Sequence, residues 1–94
     1  MSPRQTRLIR VSLLKKGFVE VNNHHHFFWL EINGKRTTVH TYFSNGEQEC
    51  GDWHQGQMAK QLKLCRKEFD DLINCPLKRE TYIGLLKERQ AIRL

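Results

Sequence analysis

His24-His25-His26-Phe27-Phe28-Trp29-Leu30-Glu31-Ile32-Asn33-Gly34-Lys35-Arg36-Thr37-Thr38-Val39-His40-Thr41-Tyr42-Phe43 decides the fold. Asn33-Gly34 demands positive φ at both positions, which suits a two-residue type I′ hairpin turn. The flanks are rich in aromatic and β-branched residues, so they read as strands from His24 to Ile32 and from Lys35 to Phe43. A two-residue turn also fixes the register. It sets Phe28 opposite Val39 and Leu30 opposite Thr37. On the other face Phe27 meets His40, His25 meets Tyr42, Trp29 meets Thr38, and Glu31 meets Arg36. His26, Phe28, Leu30, Ile32, Val39 and Phe43 form the more aliphatic face, expected to pack on helices. The opposite face carries His25, Phe27, Trp29, Arg36, His40 and Tyr42, and is expected to stay open. In this register His25 and His40 are diagonal neighbours, about 5.5–8 Å apart.

Outward from the hairpin, Phe18-Val19-Glu20-Val21 is a short strand joined through an Asn22-Asn23 turn. Ser2-Pro3-Arg4 offers a helix start. Leu8, Ile9, Val11, Leu13 and Leu14 then give an apolar face to a helix over residues 4–16, ended by Gly17. On the far side, Asp52 can cap a helix running to about Lys63, with Trp53, Ala59, Met58 and Leu62 inward. Phe69, Leu72 and Ile73 mark a helix over about 66–74, stopped near Pro76. Tyr82, Leu85 and Leu86 mark another from about Lys78 to Glu88, with a frayed tail after Arg89. The order α-β-β-β-α-α-α is an α+β arrangement in a single domain spanning residues 1–94. Its core lies at about 4–65, and a C-terminal helical extension covers about 66–88.

The 94 residues carry a net charge of +6, which favours an anionic partner. A solvated surface accounts for most of the lysines and arginines. Cys50, Cys65 and Cys75 are odd in number and form no CxxC pair, so buried free thiols in a cytoplasmic protein are expected rather than disulfides. No apolar run reaches the roughly 18 residues of a membrane-spanning helix, so no membrane partner is expected. His24 and His26 could share a metal, but no carboxylate or cysteine stands at a supporting spacing. Neither a metal nor a cofactor is expected.

The chemistry best suited to the hairpin is metal-free RNA cleavage. An RNA 2′-OH attacks the adjacent phosphodiester once a base removes its proton, and histidine serves as that base or as the acid for the leaving oxygen. Lys35 and Arg36 are candidate phosphate contacts. Phe27, Trp29 and Tyr42 are candidate base-stacking rings, although Trp29 could equally be ordinary core beneath a helix.

Leu13-Leu14-Lys15-Lys16-Gly17-Phe18-Val19-Glu20, then His25-His26-Phe27-Phe28 and a hairpin, resembles the HicA toxins of toxin–antitoxin systems. In that family a helix ending in a K-x-G-F/W turn leads to a strand, and a short G-S-H-H motif opens the next. Met58-Ala59-Lys60-Gln61-Leu62-Lys63-Leu64 looks like the family's second helix. The resemblance covers about residues 4–65. It implies a double-stranded-RNA-binding-like α-β-β-β-α sandwich, an mRNA interferase activity and neutralisation by a HicB-like antitoxin. It places the catalytic histidine at His25, or at His24 if the motif slips by one. His40 as a second catalytic histidine comes from the hairpin register alone. Asn23-His24 stands where the family has Gly-Ser. The alternative is a non-catalytic RNA-binding or protein-interaction module on the same fold.

Overall fold

Asn33 and Gly34 both adopt positive φ, 54° and 79°, so the hairpin turns as the sequence demands. The computed structural model describes residues 3–74 and 76–92. Its elements are β1 (Arg4–Gln5), α1 (Thr6–Lys15), β2 (Phe18–Asn22), β3 (His25–Ile32), β4 (Lys35–Ser44), β5 (Glu49–Cys50), α2 (Asp52–Gln61), α3 (Arg66–Asn74) and α4 (Arg79–Glu88). Strands β2, β3 and β4 form an antiparallel sheet in that order, while β1 pairs with β5 in a separate ribbon. The molecule is therefore α+β with a three-stranded antiparallel sheet and several helices.

The hairpin register holds only next to the turn, where Ile32 faces Lys35 and Glu31 faces Arg36. Beyond that pair, Leu30 alone spans the same interval as Thr37, Thr38 and Val39, and the ladder resumes at Trp29 opposite His40. Phe27 then faces Tyr42, His26 faces Phe43, and His25 faces Ser44. This corrects the pairs expected from the turn alone. The Thr37 hydroxyl makes the irregularity tolerable: it donates to the Leu30 carbonyl at 2.9 Å and accepts from the Val39 amide at 3.1 Å. Those bonds stand in for ladder bonds that the bulge removes. Because β4 gains two residues rather than one, the strand faces keep their sides.

Phe28, Leu30, Ile32, Val39 and Phe43 are buried on the helix side as expected, with Phe18 beside them from β2. Against them pack Ile9 and Leu13 of α1, Met58 and Ala59 of α2, and Leu62 just after it. Phe69, Leu72 and Ile73 of α3 and Tyr82 and Leu86 of α4 join the same core. Tyr82 stacks on Phe18 with ring centroids 6.1 Å apart and donates to the Leu62 carbonyl at 3.0 Å. Burial pushes its phenol above the usual range.

Several sequence expectations are corrected. Residues Arg4–Gln5 pair with Glu49–Cys50 instead of starting the helix, so α1 begins at Thr6. Leu8, Val11 and Leu14 remain exposed, since only Ile9 and Leu13, one turn apart, face the core. The N-cap of α2 is Gly51, and Trp53 is 76% exposed. The inward stripe runs Gln55, Met58, Ala59, Leu62, and Trp53 lies on the opposite side of the helix. Gln55 holds its buried place because Arg4 and Arg66 donate to its Oε1 and its amide donates to the Cys50 carbonyl. The tail is not frayed directly after Arg89: the Ala91 amide donates to the Leu86 carbonyl and Ile92 is buried. Cys50 is buried but Cys65 is exposed, and Cys75 lies outside the described residues.

Several arginines tie elements together rather than coating the surface. Arg4 and Arg66 both reach Asp70, at 2.6 and 3.2 Å, and hold its carboxyl below the usual range against the opposing effect of burial. Arg79 of α4 donates to the Lys16 and Glu31 carbonyls at 2.7 and 2.9 Å. Its guanidinium occupies the space beside Gly17 that a Cβ would need, and φ there is +89°. Among the described residues no helix is long and apolar enough to cross a membrane.

Candidate functional site

Strand alternation lays a row of rings across the open face. His25 lies 5.4 Å from Tyr42 and 6.0 Å from Phe27, and Phe27 lies 5.4 Å from Tyr42 and 6.3 Å from His40. His40 stacks on Trp29 at 4.1 Å with an 18° interplanar angle. Arg36 completes the row with its guanidinium carbon 5.0 Å from the Trp29 ring centre. Val19 and Val21 of β2 flank the row, opposite Trp29 and Phe27. The open face thus gathers all six residues expected there, though Trp29 is already covered by His40.

The bulge changes who is neighbour to whom. His25 and His40 were expected to be diagonal neighbours, but the Phe27 ring lies between them. Two imidazoles so separated do not flank one phosphate. Lys35 and Arg36 sit at the turn end of the sheet, and His25 sits at the opposite end, seven residues before Ile32. At about 3.3 Å per residue that separation is roughly 23 Å. Lys35 and Arg36 therefore do not line a site around His25. They line a cleft of about 640 Å³ with Thr37, Thr38, Gln90 and Ile92.

The three consecutive histidines occupy three environments. His24 is exposed in the β2–β3 turn, where its carbonyl accepts from Asn45 Nδ2 at 2.8 Å. His25 belongs to the open face, and its Nδ1 is buried without a hydrogen-bond partner. His26 points to the other side, where β2 supplies Asn22 and Glu20 on the same face. Its Nδ1 lies 2.6 Å from Asn22 Oδ1 and 3.2 Å from Glu20 Oε2. Glu20 Oε1 in turn accepts from Arg10 Nε of α1 at 2.8 Å. Both neighbours of Nδ1 are acceptors, so the proton sits there and the neutral ring keeps its lone pair on Nε2. Nε2 makes no hydrogen bond, and His25 Nδ1 is the buried, unpartnered side-chain atom found among the described residues. The His26 side chain is 30% exposed and its ring also lies against Phe43. The sequence offered a signal for this clamp: Glu20 and Asn22 alternate along β2 just before the histidines.

A separate cluster was not anticipated. Glu47, Cys50 and His54 bring a carboxylate oxygen, a sulfur and a ring nitrogen within 4.8 Å of one another. His54 Nδ1 is 3.2 Å from Glu47 Oε2, and its Nε2 lies 3.3 Å from the Tyr42 carbonyl. Burial tends to raise the Glu47 carboxyl, but the Ser44 amide and the His54 charge outweigh it and hold the group below its usual range. Burial and the nearby Glu47 charge push the Cys50 thiol up to about 11.

No known family model matches the chain, and neither a characterised protein nor a solved structure matches it.

Proposed function

We propose that this chain is a HicA-like ribonuclease that cleaves mRNA in the cytoplasm, is neutralised by a HicB-like antitoxin, and uses a histidine of β3 as its acid–base group. The observation that carries the reading is the clamp on His26. A carboxylate and an amide oxygen at Nδ1 orient the ring, Arg10 stabilises the carboxylate, and the side chain is 30% exposed. That is the arrangement a general base needs. His26 Nε2 takes the proton from an RNA 2′-OH, the 2′ oxygen attacks phosphorus, and the 5′ oxygen leaves with a proton from the imidazolium or from water. The products are a 2′,3′-cyclic phosphate and a 5′-hydroxyl, and no metal enters the step. Phe27 and Tyr42 suit stacking of unpaired bases on the opposite face of the sheet from His26, as a contact separate from the cleavage step. Apart from the short β1 and β5 strands, the order α1-β2-β3-β4-α2 is compatible with the double-stranded-RNA-binding-like sandwich that the resemblance implies. His25, which the motif resemblance favours, differs from His26 in having no orienting partner at Nδ1.

A second reading rests on the ring row itself. A continuous strip from His25 to Trp29 suits a non-catalytic RNA-binding module. The test is incubation of the purified chain with single-stranded RNA in EDTA, with end-group analysis. Cleavage leaving cyclic phosphate supports the ribonuclease. Salt-sensitive retention without cleavage supports the binding module. Absence of both rejects the two readings together.

A further inference from the structure

We propose that Glu47, Cys50 and His54 form a binding site for one divalent cation of the zinc class, which staples the β4–β5 loop to the first turn of α2. The three donors lie within 4.8 Å of one another, and His54 Nδ1 and Glu47 Oε2 are 3.2 Å apart. Bonds of about 2.0–2.3 Å in a tetrahedral site put ligand atoms roughly 3.3–3.6 Å apart, so one edge is already formed and small side-chain rotations close the others. The donor set discriminates among metals. A thiolate with an imidazole and a carboxylate suits zinc or cobalt, whereas magnesium and calcium prefer oxygen alone.

The surroundings support the same assignment. His54 Nε2 points at the Tyr42 carbonyl, so it donates its proton there and leaves Nδ1 for the metal. Metal-binding histidines are oriented in this way by an outer partner. Glu47 Oε1 accepts from the Ser44 amide at 2.9 Å, which leaves Oε2 as the ligand atom. The spacing Glu-x2-Cys-x3-His is local, so little chain must be ordered to assemble the site. Cys50 ends β5 and His54 lies in the first turn of α2. The Glu47 and His54 side chains are 32% and 23% exposed, which gives water a route to the fourth position. Binding displaces the Cys50 thiol proton, and the His54 Nδ1 proton where present, to solvent. The cation takes over the position of the hydrogen bond that otherwise joins His54 to Glu47.

The test is titration of the full chain with Co²⁺, read by absorption, followed by displacement with Zn²⁺. The expected result is tetrahedral visible bands and a near-ultraviolet thiolate-to-cobalt band that Zn²⁺ abolishes. Cys50→Ser should lose the thiolate band. Glu47→Gln and His54→Gln should bind at least about 10–100-fold more weakly, the loss that outer partners alone can cause. The exposed Cys65 is the control, and Cys65→Ser should bind as the wild type does. If Cys50→Ser does not fold, the Glu47 and His54 variants decide. Absence of the thiolate band from the wild type overturns the proposal and leaves a His54–Glu47 ion pair. So does a band lost in Cys65→Ser, or binding unchanged in both Glu47→Gln and His54→Gln.

Discussion

The two faces of β3 share one stretch of backbone and differ in almost everything else. On the helix side Phe28 and Leu30 are wholly buried, and His26 at the strand's start is clamped by Glu20 and Asn22. On the open side Phe27, Trp29 and His25 touch mainly other rings, and His25 Nδ1 has no partner. The difference teaches that neighbours in sequence are not neighbours in a site. A strand deals alternate residues to different environments, and adjacent histidines receive different chemistry.

The sharpest way to break this contrast is to truncate adjacent phenylalanines. Phe28→Ala should cost about 3–5 kcal/mol in urea unfolding, because it empties a closed core position. Phe27→Ala should cost less than about half of that, since its ring is partly exposed. Equal losses would mean that the faces are misassigned. The bulge that preserves the two faces rests on Thr37. Thr37→Val leaves the Val39 amide and the Leu30 carbonyl without the hydroxyl, an expected loss of about 1–3 kcal/mol. Unchanged stability would show that the hydroxyl bonds do not hold the bulge.

Within the ribonuclease reading, Glu20→Gln keeps the clamp's shape but removes its charge. It should slow cleavage by about 10-fold or more, part of the 10²–10⁴ that acid–base catalysis contributes. The smallest effect concerns the helix layer behind the closed face, where Arg89 and the Cys65 amide hold the Glu68 carboxyl at about 2, against an ordinary 4.5. A depressed carboxyl stabilises the fold above its unfolded value and loses that contribution as pH falls through its folded one. Acid titration of unfolding should therefore show a loss between pH 4.5 and about 2 that Glu68→Gln removes. Its size should stay below about 1 kcal/mol, because the pair is partly exposed. A Glu68→Gln curve identical to wild type would show that the pair contributes nothing.

Much of this layout was legible in the sequence because it depends on local signals. Asn33-Gly34 set the turn, Gly17 ended α1 in positive φ, and alternation sorted the faces. What escaped depends on distant partners. Nothing near Arg4-Gln5 announces Glu49-Cys50 as a ladder partner, or Gln55 and Asp70 as acceptors for the Arg4 side chain. The bulge escaped because a threonine hydroxyl replaces backbone bonds, and turn rules do not count side chains. For the candidate site, the open-face membership of His25, Phe27, Trp29, His40 and Tyr42 was readable. The expected His25–His40 contact fails, because a two-residue slip keeps the face and changes the neighbour. Trp53 was misplaced because an apolar residue near a helix start counts as core by type, while Gln55 wins the buried stripe through its hydrogen bonds.

The central claim is that environment, not adjacency, selects the working histidine. The direct measurement is the RNA cleavage rate of His25→Gln and His26→Gln beside wild type, in EDTA, with folding verified by circular dichroism. His26→Gln should fall by about 10²–10⁴-fold, while His25→Gln stays within about 10-fold of wild type. A collapse in His25→Gln with His26→Gln still active would contradict the account and return the catalytic role to the open face.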